Sequence, residues 1–209
     1  MPTPRLVILD FDGTLADSFP WMVGALADAA RRFGFRNPDA AAIEQLRGEP
    51  NRSILKSLGV PAWKLPAIGL HMRALAAAAP PPPLFPGIEE ALHRLADGGV
   101  VLALASSNAE AQIRRTLGPT LAARIPHLAC EASLFGKAAR FRRILRAAGL
   151  PAAGAIAIGD ESRDIEAARQ AGIAAGAVAW GYASPGLLRA LRPDAWFETP
   201  ADLARLLPG

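Results

Sequence analysis

The chain has 209 residues, 51% apolar and 20% charged, which fits one globular unit, or one carrying a large insertion, and excludes a disordered chain. Its net charge of +4 comes from 23 basic residues, of which Lys56, Lys64 and Lys137 are the lysines; no run of four occurs, so no nucleic-acid partner is expected. Cys130 has no second cysteine to pair with, the Ala171–Ala183 apolar stretch is shorter than the roughly 20 residues of a membrane span, and no signal-peptide layout opens the chain, so a cytoplasmic protein without a membrane partner is expected.

In chain order, the first apolar run is Leu6–Leu9, a short stretch of the kind buried on both faces of a parallel sheet. Helical patterns follow over Trp21–Phe33, Asp39–Leu46, Arg52–Leu58 and Trp63–Ala79, with no strand among them. Pro80–Pro83 cannot continue a helix and favours a stiff, extended connection. Strand and helix then alternate. A helix at Ile88–Leu95 ends at Gly98-Gly99 before a strand at Val100–Ala105. A helix at Phe141–Ala148 ends at Gly149 before a strand at Ala155–Ile158. A helix at Ile165–Ala171 ends at Gly172 before a strand at Ile173–Ala179. His127–Ala132 and Ala195–Phe197 add shorter strand patterns.

The alternation predicts an α/β fold: a Rossmann-like, doubly wound parallel sheet. Residues 1–16 and 86–209 would form that core, and residues 17–85 an inserted α-helical cap with a proline-rich return linker.

Chemistry-bearing residues cluster at the strand ends. The first strand runs into Asp10-Phe11-Asp12-Gly13-Thr14, which puts two carboxylates in one small space. Asp12-Gly13 also suits a hairpin turn, but a hairpin leaves Asp10 unexplained at the end of a sheet where ligands bind. The second strand ends in Ser106-Ser107-Asn108, either an anion site or an ordinary helix N-cap. Lys137 precedes a sheet helix and is a candidate phosphate partner, although lone lysines usually face solvent. The Ala155–Ile158 strand ends in Gly159-Asp160-Glu161, with Asp164 close behind. Acids favour a helix's first turn, but that preference does not require Asp160. Together these residues describe a magnesium–phosphate site: oxygen ligands for the metal, amide and cationic donors for the phosphate.

In this order the motifs resemble the haloacid dehalogenase-like hydrolase superfamily, and the insertion after the first motif resembles its subgroup with phosphoglycolate phosphatases and β-phosphoglucomutases. The resemblance implies a Mg²⁺-dependent phosphatase of a small phosphorylated metabolite. Asp10 would be the nucleophile and a metal ligand. Asp12 would give its main-chain carbonyl to the metal and act by its carboxyl as general acid, then base. Thr14, Ser106, Ser107, Asn108 and Lys137 would hold phosphoryl oxygens, and Lys137 would also restrain Asp10. Asp160 would ligate Mg²⁺ directly, and Asp164 would support the metal from behind its ligands or through water.

Two departures stand out. Ala138 replaces a common proline after Lys137, and Ser107-Asn108 replaces the Asn-Lys pair of typical phosphoglycolate phosphatases. Arg47 and Arg52 flank the segment where such relatives carry a specificity loop, so both are candidate contacts for a substrate anion. His71 and His93 lie in helical patterns and read as packing or surface residues. A phosphomutase, a dehalogenase and a phospho-aspartate receiver domain are the rival readings. Asp12 argues against the dehalogenase, because a halide leaves without a proton, and the helical insertion argues against the receiver. A monomer or homodimer is expected.

Overall fold

The structure, a computed structural model, describes residues 3–130 and 136–208. Six strands form one parallel sheet: β1 Leu6–Leu9, β2 Val101–Ala105, β3 His127–Ala129, β4 Ala155–Gly159, β5 Ala174–Val178 and β6 Ala195–Phe197. Their order is β3-β2-β1-β4-β5-β6. β1 therefore lies between β2 and β4, at the point where the strand order reverses and a crevice opens beyond the strand ends. Leu9 pairs in register with both Leu104 and Ile158. Asp10 thus emerges between the ends of β2 and β4, level with the turns that carry Ser106 and Asp160.

Alternation along the strands splits the core into two layers. Val7, Leu9, Leu102, Leu104, Ile156 and Ile158 face one way. They pack on α5 (Ile88–Asp97) through Ile88, Leu92 and Leu95, and on α6 (Glu110–Ala123) through Ile113 and Leu121. The opposite face is built largely from alanine: Ala103, Ala105, Ala155, Ala157, Ala175 and Ala177. Such short side chains let α7 (Gly136–Ala148) and α8 (Ser162–Ala171) lie close, and the helices supply the bulk through Phe141, Ile144 and Ile165.

Between β1 and α5 no residue joins the six-stranded sheet. This stretch holds α1 (Phe19–Phe33), α2 (Ala40–Leu46), α3 (Asn51–Ser57) and α4 (Leu65–Ala78). Asp39 caps α2 by accepting a hydrogen bond from the Ala42 amide at 2.8 Å. His71 on α4 meets Asp28 on α1 at 2.7 Å. The two connections to the core run side by side: Asp17 N–H donates to the Pro83 carbonyl at 2.8 Å, and Phe85 N–H to the Leu15 carbonyl at 2.9 Å. No helix of the described residues is long and apolar enough to cross a membrane.

Two helices lie outside the sequence patterns. Gly118-Pro119 interrupts α6 midway, hiding its periodicity, and α9 (Pro185–Ala190) is only six residues long. The strand predicted over 127–132 ends at Ala129; Glu131 and Ala132, like Phe135 before Lys137, fall outside the described residues. Helix α8 starts at Ser162, ahead of its apolar pattern, because Glu161 and Asp164 form a capping box.

Leu92 is fully buried between α5 and the sheet, far along the chain from the acidic strand ends. Leu92→Ala is expected to lower stability by about 2–5 kcal/mol, the usual cost of a core cavity. Urea denaturation measures the loss, and turnover per folded molecule should stay unchanged.

Candidate active site

Lys137 sits in the first turn of α7, and its Nζ lies 2.7 Å from Asp10 Oδ2 and 2.5 Å from Asp164 Oδ1. Burial alone would lower the lysine's pKa, but the charges of Asp10 and Asp164 outweigh it and raise the value above normal. The cation is therefore held charged between two carboxylates. Asp164 gains equally. Burial works to raise its pKa, but Lys137 and Arg163 hold its carboxyl below the ordinary range. Its second oxygen accepts the amides of Asp160 at 3.1 Å and Glu161 at 3.0 Å.

Asp160 has no exposed surface. Thr14 donates its hydroxyl to Asp160 Oδ1 at 2.9 Å, and Tyr182 its main-chain N–H to Oδ2 at 2.8 Å. Burial pushes the Asp160 carboxyl well above its usual range, and the charges of Glu161, Asp164 and Asp10 push it further. The surrounding backbone leaves no slack. A Cβ on Gly13 would come within 2.1 Å of Asp160 Oδ2, and one on Gly181 within 2.1 Å of Asp160 Cβ. Glycine is required there for close approach.

Asp10, Asp160 and Asp164 each bring one carboxylate oxygen within 4.8 Å of the others. An all-oxygen, strongly anionic donor set suits a hard divalent cation such as Mg²⁺ or Ca²⁺. Lys137 touches two of these acids but not Asp160, whose charge a cation would offset. The residues present fit a metal.

Asp12 is held apart from that cluster. Ser18 donates its hydroxyl to Asp12 Oδ1 at 2.7 Å, and the Asn108 side-chain amide donates to Oδ2 at 2.8 Å. Burial raises the Asp12 pKa, the Ser18 and Asn108 bonds lower it, and the Asp10 charge raises it; the net shift is upward. A carboxyl in that setting can carry a proton.

Ser106 is buried, and its Oγ accepts the Asn108 main-chain N–H at 3.1 Å. Ser107 lines a cavity of about 320 Å³ with Asp10, Asp12, Lys137, Arg140 and Arg163. Ala138 begins the buried face of α7 beside it. The Asp10–Asp12–Ser106–Ser107–Asn108–Lys137–Asp160–Asp164 set is thus gathered at one end of the sheet. Thr14 joins it by bracing Asp160.

The two arginines of the helical segment lie elsewhere. Arg47 donates from Nε to the Tyr182 carbonyl at 2.8 Å and from Nη2 to the Gly181 carbonyl at 3.1 Å. Its Nη1 meets Glu44 at 3.1 Å, and its guanidinium lies over the Phe19 ring at 5.3 Å. Its donors thus fasten the helical segment to the loop after β5. Arg52 is exposed on α3.

Three participants escaped the sequence reading. Tyr182 bonds Asp160 through its amide, and its hydroxyl lies 2.7 Å from Ser18 Oγ. Arg140 lines the cavity, and among the described residues its buried Nε has no hydrogen-bond partner. Its spacing from Lys137, one helical turn along, was the available signal. Arg163 pairs with Glu161, whose other oxygen accepts from Asn51 of α3 at 3.2 Å.

Comparison with known proteins agrees with this geometry. The family model of the haloacid dehalogenase-like hydrolases matches residues 7–178. A phosphoglycolate phosphatase of Synechococcus elongatus is 34% identical over 208 residues, covering 95% of each chain. One from Pseudomonas syringae is 30% identical over 236 residues, spanning 99% of this chain and 79% of its own. A haloacid dehalogenase-like hydrolase structure from Streptococcus pneumoniae has the same fold over the full length of both chains, with a TM-score of 0.83 at 22% identity. The chain belongs to the haloacid dehalogenase-like hydrolases. It is an enzyme, a hydrolase of the phosphoric-monoester class.

Lysine keeps the charge of Arg47 but lacks the fork that reaches two carbonyls. Arg47→Lys and Arg47→Gln are therefore expected to loosen the contact to a similar extent. Hydrogen exchange without any substrate should quicken across α2 and residues 180–184 in both variants. Unchanged protection would count against the bracing role.

Proposed function

We propose that this enzyme is a Mg²⁺-dependent phosphatase of a small phosphorylated metabolite, working through an aspartyl-phosphate on Asp10. The observation that carries the reading is the separation of two carboxylates at one strand end. Asp10 is ion-paired with Lys137 beside Asp160 and Asp164, while Asp12 is held away from them by Ser18 and Asn108. Phosphoglycolate, named in the relatives, is the first substrate to test.

Asp10, Asp160 and the Asp12 main-chain carbonyl would hold Mg²⁺, with Asp164 behind them, and the ion would neutralise charge on the phosphoryl oxygens. The remaining work falls to the chain's own groups. The Lys137 bond fixes the Asp10 carboxylate in one orientation, aimed for in-line attack on phosphorus. Lys137, Arg140 and Ser107 of the cavity wall, joined by Ser106 at the end of β2, bind the transferring phosphoryl oxygens. Asp12 gives its proton to the departing alkoxide, then takes one from the water that hydrolyses the aspartyl-phosphate. Residues 17–85 act as a cap that closes over the site and excludes water, hinged at the paired Leu15–Asp17 and Pro83–Phe85 segments.

Activity towards an aryl phosphate is expected to disappear on exhaustive chelation and to return with Mg²⁺. In Asp160→Ala the magnesium titration should shift to markedly higher concentrations. Turnover that survives chelation would overturn the metal assignment.

Asp10→Asn should abolish activity, since no acyl phosphate can form. Asp12→Asn should separate two kinds of substrate. General acid help is typically worth 10²–10⁴-fold, and an alkyl alkoxide needs it far more than a phenolate. The kcat/KM loss is therefore expected to be large for an alkyl phosphate such as phosphoglycolate and small for an aryl phosphate. Equal losses would remove Asp12 from the leaving-group role.

A further inference from the structure

A second cavity, of about 380 Å³, opens on the other side of Asp12, between α1, the end of α4, the Pro80–Pro83 segment and α6. Phe11, Trp21 and the four prolines form much of its wall. Asp12 lines both this cavity and the one that holds Asp10 and Lys137. Both groups that hold the Asp12 carboxylate, Ser18 and Asn108, also line the second cavity. The proposed proton donor therefore borders both the phosphoryl cavity and an apolar chamber. That is where the departing oxygen must lie, with the body of its alcohol beyond it.

We propose that this chamber receives the alcohol half of the substrate and selects an uncharged, apolar body the size of a ring over a two-carbon carboxylate. The inference rests on the phosphatase reading and adds a substrate class to it. Size is the first argument. An apolar cavity of about 150 Å³ already accepts benzene, so a glycolate group would leave most of this chamber unfilled. Charge is the second. A carboxylate would lie with Asp12 and Asp17, and the lining offers it one cation, the exposed Arg115. Losing water in a chamber walled by tryptophan and proline would be costly for an ion and favourable for an apolar ring.

Preorganisation is the third argument. The flat faces of Trp21 and of prolines with fixed φ are already in place, so little ordering entropy is lost on binding. Thr116 also lines the chamber, and among the described residues its buried Oγ1 has no hydrogen-bond partner.

The test compares benzyl phosphate, ethyl phosphate and phosphoglycolate with Mg²⁺ present. All three leave as alkyl alkoxides, so chemistry at phosphorus is matched. The kcat/KM for benzyl phosphate should exceed that of each of the other two by at least about tenfold, a difference of 1.4 kcal/mol. Trp21→Ala, and the milder Trp21→Leu in case the first folds poorly, should cut the benzyl-to-ethyl ratio to about threefold or less, through a larger loss on benzyl phosphate than on ethyl phosphate. Calorimetric binding of benzylphosphonate and ethylphosphonate, which cannot turn over, should show the same preference and the same dependence on Trp21. If no ester is hydrolysed but benzylphosphonate keeps its Trp21-dependent advantage, the chamber stands and the phosphatase reading falls. A benzyl-to-ethyl ratio near one in both assays, a preference for phosphoglycolate, or an equal loss on all ligands in the Trp21 variants overturns the chamber.

Discussion

One buried ammonium group organises this molecule's chemistry. Lys137 lies between Asp10 and Asp164 and ion-pairs with both, and its charge helps hold the Asp164 carboxyl below the ordinary range. Removing one partner from such a group leaves an uncompensated charge away from water, which is among the most destabilising changes a core can suffer. The arrangement needs three elements delivered to one point: the end of β1, the first turn of α7 and the first turn of α8. Parallel register supplies the first alignment, since Leu9 pairs with Leu104 on one side and Ile158 on the other. The alanine-faced side of the sheet supplies the second, because α7 and α8 can approach closely only over short side chains.

The charge that Lys137 does not reach is the more telling one. Asp160 is buried with Asp10, Glu161 and Asp164 nearby and is satisfied by a hydroxyl and an amide rather than by a cation. Gly13 and Gly181 press against it so tightly that no larger residue fits. A fold built for stability alone would not tolerate an acid there, and local rules tend to be broken at functional sites. Asp12, two residues from Asp10, is likewise held by two neutral donors, Ser18 and Asn108, and burial raises its pKa, but it stands outside the acid cluster.

The helical segment is joined to this site by main-chain contacts as well as by its linkers. Arg47 holds the Gly181 and Tyr182 carbonyls, while the Tyr182 amide holds Asp160 and the Tyr182 hydroxyl meets Ser18. Ser18 precedes α1, yet its hydroxyl is not spent on capping that helix; it goes to Asp12 instead. A displacement of the segment would therefore be felt at both carboxylates.

Much of this was legible from residue order alone. Short apolar runs ending in Asp10, Ser106 and Asp160, alternating with helical patterns, read as buried parallel strands with their polar ends together, and helix stops at Gly149 and Gly172 mark the crossovers between them. Capping hid the true start of α8, and Gly118-Pro119 hid α6, because periodicity fails wherever backbone chemistry overrides the apolar pattern. What sequence could not decide was direction. Thr14 turns to Asp160, Arg47 turns to a loop some 134 residues away, and Tyr182 enters through its backbone amide, which any residue carries. Residue type and local spacing determine which groups are available and which element holds them. Only the packed sheet, with its register and its glycine-tight turns, determines which of those groups meet, because contacts between distant segments leave no local trace in the chain.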